Sequence, residues 1–508
     1  MKPMQAASTI TRRHVLKGAS SLALGALLPG CGGAASTTAS SAPSNNTNPQ
    51  PAPTGALTQA SVTVTASAAG AIGAAFAGLS YEKSALYENP YLFNGTNSNL
   101  IGMFKRLGTG VLRIGGNSVD RNVWNASGAG HTSGQIAPAD VAALAAFVKA
   151  TGWQCIYGIN LGGSATGATT PALAAAEVAY AAQQFGTSLL GVEIGNECDL
   201  YGNTGGYYAG NWTLTMFESL WSQYRSAIAA AAPGVAFTGS ASSYRLYWTV
   251  PFGQTMTSSE LSLLTHHYYR GDGTSPTSTA ALLISADPTL VSTCSTLNAG
   301  AAGSGIPYRM AECNSFYNSG ASGVSNSYAS SLWVIDFLFN CAQGGAGGVN
   351  LHGGGNGTGY TPIADSAGQV VQARPEFYGI LLFTLAGAGT LYQTAVSAGT
   401  LNVTAYTVKS ASGGLKLILI NKDSTQNVQA VVSLPQTVNT ATLLEMTQLT
   451  TGNTGPSLAA TSGVTIQGAS VNADGTFTPG TPYTLAAGSS QVTCYVPALS
   501  AVLLQLSS

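Results

Sequence analysis

PALAAAEVAYAAQQFGTSLLGVEIGNE, residues 171–197, opens on a proline, carries apolar residues at helical spacing to Phe185, and stops at Gly186. It then enters a short apolar run, 190–194, that ends in Gly195-Asn196-Glu197. Proline at the first helical position and glycine just past the last are the usual punctuation of a helix. A helix leading into a strand that stops on a polar cluster is one beat of a parallel β/α repeat, because each parallel strand needs a crossover before the next.

Outward from this beat the pattern recurs. Strand-like runs at 76–81, 111–114, 154–159, 235–239, 263–268, 308–311 and 348–351 bring the total to eight, their starts 28 to 45 residues apart. Further helical patterns fill 138–150, 214–232 and 328–341. Eight such units predict a (β/α)8 TIM barrel over 76–385, with its function at the C-terminal ends of the strands. From 386 to 508 the pattern changes to alternating strands at 401–408, 415–420, 429–434, 441–446 and 490–506, separated by Gly, Asn, Asp and Pro. That composition predicts a C-terminal all-β sandwich domain. Residues 61–66 alternate in the same way, so 61–75 are expected to give this domain an N-terminal strand.

Residues 1–30 hold Arg12-Arg13, a brief apolar run and Leu28-Pro29-Gly30 before Cys31. This is the pattern of a twin-arginine signal followed by a lipoprotein box, which predicts export to the periplasm or cell surface and a diacylglycerol anchor on Cys31. Residues 31–60, rich in Ala, Ser, Thr, Asn and Pro, read as a disordered tether. Six further cysteines include no CxxC pair and are expected to be mostly free thiols.

Only 7% of the 508 residues are charged, and the formal net charge is −1. No basic cluster follows Lys17, which excludes the phosphate-neutralising surface that nucleic-acid binding requires. No uninterrupted apolar run is long enough to span a bilayer.

With 19 acidic residues in the whole chain, two glutamates at barrel-strand ends are conspicuous. Glu197 follows the fourth strand and Glu312 follows the seventh, so their side chains can face each other across the barrel mouth. Such a pair suits glycoside hydrolysis, which needs a proton donor for the departing oxygen and a second carboxylate at the anomeric carbon. Glu82 after strand one, Asn117 after strand two and Tyr360 after strand eight are candidate contacts to sugar hydroxyls. His266-His267 does not make a zinc site, since adjacent strand residues point to opposite faces. Neither a nucleotide loop nor a GxSxG elbow is present, and no cofactor is expected.

Gly195-Asn196-Glu197 and the strand-seven Glu312 resemble the acid/base and nucleophile of clan A glycoside hydrolases. Together with Ser80-Tyr81-Glu82-Lys83, Arg113-Ile114-Gly115-Gly116-Asn117-Ser118, His267-Tyr268 and Glu376-Phe377-Tyr378-Gly379, they resemble family 79, in its β-glucuronidase branch. The resemblance covers residues 61–508. It implies that Glu197 is the general acid/base, Glu312 the nucleophile, and Asn196 a partner of the sugar 2-hydroxyl. It also implies that Tyr268, Tyr317 and the loop around Gly320 receive the uronate carboxylate. No Lys or Arg lies between Glu312 and Arg374 to form an arginine fork.

The expected function is a monomeric, retaining exo-hydrolase that removes β-linked glucuronic or 4-O-methylglucuronic acid from a glycan. Two other readings stay open. One is a different glycosidase, either heparanase-like and endo-acting or a clan A enzyme for neutral sugars; the other is a non-catalytic carbohydrate-binding lipoprotein.

Overall fold

The computed structural model describes residues 48–449 and 455–508; Arg12, Arg13 and Cys31, with the export and anchor signals, lie outside them. Eight parallel strands close a barrel: Ala77–Glu82, Val111–Gly115, Gln154–Ile159, Leu189–Ile194, Phe237–Ser242, Leu263–Tyr269, Tyr308–Asn314 and Val349–Gly353. All eight expected strands form. The seventh runs three residues further than 308–311, so Glu312 lies within the strand and its backbone is fixed by the ladder to strand six.

The expected helices appear as Pro138–Thr151, Pro171–Phe185, Leu214–Ala231 and Tyr328–Gln343. Ser98–Arg106, Leu246–Thr255, Pro288–Ser304 and Pro375–Ala386 complete the crossovers. Leu246–Thr255 escapes a periodicity search because Pro251 interrupts it and its apolar residues run almost continuously.

The barrel interior is unusually polar. Arg113, Glu193, Thr238, Thr265, Arg309 and Asn350 are all buried within it, where branched apolar side chains are the rule. Each charged group is hydrogen-bonded, although Arg309 has only neutral acceptors. Glu193 meets Arg113 at 2.5 Å, and Arg309 donates to Asn350 and to the carbonyls of Ala75, Phe76 and Val349.

The β-rich remainder is one hydrogen-bonded sheet of ten strands. It curls over, so that Val62, Val64, Leu417, Leu419, Val432 and Leu504 share an apolar core separate from that of the barrel. The strand Leu57–Ile72 joins this sheet, antiparallel to Gly389–Ser397 and parallel to Asn427–Val438. It begins before residue 61, and the segment ahead of it is tied down as well: Asn48 and Gln50 donate to the carbonyls of Thr481 and Tyr495. The tether expected over 31–60 therefore ends earlier among the described residues. The run 490–506 is two strands, Ser489–Val496 and Ser500–Ser507, with a turn through Leu499 at φ +49°.

Barrel and sheet meet along the helix Tyr328–Gln343. Asp336 accepts from Thr404 at 2.7 Å and Tyr406 at 2.9 Å and pairs with Lys422, while Phe339 stacks on Tyr406 at 4.4 Å. All six described cysteines are buried and free.

Candidate active site

Strand four delivers Glu197 through a tight exit. Gly195 has φ +85° and Glu197 itself sits at φ +48°, ψ 45°, a conformation that costs a side-chain-bearing residue of order 1 kcal/mol. The amide of Glu197 donates to the Ala241 carbonyl at 2.8 Å, which holds the turn. Its carboxylate meets His267 Nδ1 at 3.2 Å.

Glu312 projects inward from strand seven. Arg113 Nη1 donates to its Oε2 at 2.7 Å and the Tyr269 hydroxyl to its Oε1 at 2.9 Å. Burial by itself would raise the Glu312 carboxyl, but His352, His267 and Arg113, with the Tyr269 hydrogen bond, outweigh it and hold the group well below the usual carboxylate range. Burial and the adjacent Glu312 charge keep the Tyr269 hydroxyl protonated, so it serves as a donor. One carboxylate oxygen of each glutamate and a ring nitrogen of His267 lie within 4.8 Å of one another. Three such atoms are also a donor set for a cation, but both oxygens of Glu312 already accept, from Arg113 and from Tyr269.

The remaining expected residues divide. Asn196 is buried beside the pair, accepting from Arg113 Nη2 at 2.8 Å and facing Asn117 at 3.4 Å. Asn117 is exposed at the mouth. Glu82 braces the loop after strand two, accepting from the amides of Asn117 and Ser118 and from the Ser118 hydroxyl. Burial opposes its ionisation, yet His352 and Ser118 hold it below its ordinary value. A Cβ at Gly116, φ +71°, would fall 2.4 Å from that carboxyl and push it from the loop it braces.

Tyr360 stacks on Tyr269 at 5.9 Å, and Tyr317 meets the same ring edge-on at 6.5 Å. Gly320, φ +88°, packs its loop against the backbone of Tyr360, where a Cβ would lie 2.8 Å from the amide nitrogen.

Tyr268 is not in the site. Its hydroxyl donates to Asp287 at 2.9 Å and its ring packs on Phe337, outside the barrel. The inward tyrosine of strand six is Tyr269. His266 likewise faces outward, bonded to Thr249 at 2.8 Å, whereas His267 faces in.

Arg113, His267, Tyr269 and His352 complete the site, and the sequence does not single them out individually. Arg113 carries a signal, a charge inside an apolar strand, since a buried arginine must find partners for its donors.

No protein-family model matches the chain. A β-glucuronidase of Aspergillus niger is 30% identical over 226 residues, 40% of this chain, and the chain spans 41% of that relative's length. Among solved structures, a 4-O-α-L-rhamnosyl-β-D-glucuronidase from Fusarium oxysporum superposes with TM-score 0.69 at 18% identity, covering 89% of this chain and 100% of that one. A family 51 arabinofuranosidase from Xanthomonas axonopodis pv. citri gives 0.63 at 15% identity, covering 88% and 100%. The chain shares the fold of these glycosidases.

Proposed function

We propose that the chain is a retaining exo-glycoside hydrolase that removes β-linked glucuronic acid from glycans. The observation that carries this reading is the carboxylate pair, with oxygens of Glu197 and Glu312 within 4.8 Å at the barrel mouth. Retaining enzymes hold their carboxyl groups roughly 5 to 5.5 Å apart, whereas inverting ones leave roughly 6.5 to 9.5 Å for a water.

In this mechanism Glu312, ionised and held by Arg113 and Tyr269, attacks the anomeric carbon while Glu197 protonates the departing oxygen. The glycosyl ester consumes the charge on Glu312. Glu197 then takes a proton from water, which attacks the same carbon and frees Glu312. His267 orients Glu197 throughout.

The uronate reading is supported by the likeness to the Aspergillus niger β-glucuronidase and by the tyrosines beside Glu312. Tyr317 and Tyr360 offer hydroxyls, and the loop through Asn318, Ser319 and Gly320, all at positive φ, offers backbone donors. One observation favours a neutral sugar instead: Arg113 is already engaged by both Glu193 and Glu312. Hydrolysis of p-nitrophenyl β-glucuronide, β-glucoside and β-xyloside separates the two. Preference for the glucuronide is expected; preference for an uncharged sugar removes the uronate assignment.

The signals at Arg12-Arg13 and Cys31 support an exported, lipid-anchored enzyme. Intact mass of the membrane fraction, with or without a diacylglycerol adduct, tests this.

A further inference from the structure

Tyr244 and Tyr247, 69% and 65% exposed, are the most exposed large apolar side chains among the described residues. Scattered singly, such residues need no explanation. Tyr247 instead lines a cavity of about 470 Å³ between the segments that follow strands four and five, together with Asp199, Asn203, Trp212 and Arg245, and Tyr244 adjoins that wall through Arg245, whose guanidinium lies 5.6 Å from its ring. Asp199 is two residues beyond Glu197.

The cavity walls are braced. Trp212 donates to the Cys198 carbonyl at 2.7 Å, Arg245 to Asn203 at 3.1 Å, and the amide and hydroxyl of Ser243 to Asp199 at 2.9 and 2.6 Å. The charges are engaged within the walls, Arg245 lying 4.0 Å from the Asp199 carboxylate and bonded to the Asp199 carbonyl. What remains for a ligand is aromatic surface and the Asn203 amide. That chemistry suits a neutral sugar, whose apolar face lies on a ring while its hydroxyls stay hydrated.

We propose that this cavity is a leaving-group subsite, which takes the neutral oligosaccharide from which the terminal sugar is cut, with Tyr244 and Tyr247 as its stacking platform. The inference rests on the glucuronidase reading, because a proton donor at Glu197 puts the departing oxygen, and the chain attached to it, on this side of the mouth.

The test compares methyl β-glucuronide with β-glucuronyl trisaccharides built on cellobiose, xylobiose and galactobiose. Wild type should prefer at least one trisaccharide, and the double variant Tyr244→Ala, Tyr247→Ala should lower that preference about tenfold in kcat/KM, through KM. Tyr244→Phe with Tyr247→Phe should retain it. Turnover of the methyl glycoside with no trisaccharide preference, or with a preference that the alanine variant leaves intact, overturns the subsite while the glucuronidase reading stands. If wild type hydrolyses none of the four compounds, that reading fails and the subsite falls with it.

Discussion

At the residue scale the two glutamates are chemically unequal because their neighbours are. Glu312 is flanked by Arg113, His352 and a donated tyrosine hydrogen bond, whereas Glu197 has the His267 ring and partial exposure. Replacing Glu197 by alanine should lower turnover of poor leaving groups by roughly 10²- to 10⁴-fold and affect activated aryl glycosides far less; steady-state kinetics on both substrate types checks this. His352→Gln removes a cation that favours ionised Glu312, so the acidic limb of the kcat/KM profile should move to higher pH. An unmoved limb would contradict that role. Both glutamates are legible in the sequence because each ends an apolar strand on a carboxylate. The tyrosine beside them is read one place too early: His267 faces in, so by alternation Tyr269 does too and Tyr268 cannot.

At the scale of elements, the helix Pro375–Ala386 carries a buried charge problem behind strand seven. Glu376 accepts from Asn314 at 2.9 Å, while its other oxygen has no partner. Burial pushes its carboxyl from 4.5 up to about 8. The folded chain therefore keeps a proton that the unfolded chain releases, so this contribution to stability is complete below pH 4.5 and is lost as pH rises toward 8. Between about pH 4.5 and about pH 7 the loss amounts to about 3 kcal/mol. Glu376→Gln should flatten that dependence in denaturant unfolding measured at both pH values. Strand positions are readable from apolar runs bounded by polar clusters. Strand ends are not, because the ladder between strands six and seven extends through polar residues such as Glu312 and Asn314.

At the scale of the molecule, a barrel and a curled sheet are joined through Asp336, which holds Thr404, Tyr406 and Lys422. Asp336→Ala leaves the buried Lys422 ammonium unmatched and should cost about 3 to 5 kcal/mol, seen as a lower thermal midpoint. The change from β/α alternation to all-β patterning near residue 386 is visible in sequence. The pairing of Leu57–Ile72 with two distant strands is legible only in outline, since register depends on partners more than 300 residues away. In the proposed mechanism Glu312 attacks the sugar covalently while Glu197 manages the proton. The most direct test is to inactivate the enzyme with an activated 2-deoxy-2-fluoro-β-glucuronide and map the adduct by peptide mass spectrometry. One glycosyl ester is expected, on Glu312; an adduct on another residue, or turnover of the substrate with inverted anomeric configuration, would contradict this mechanism.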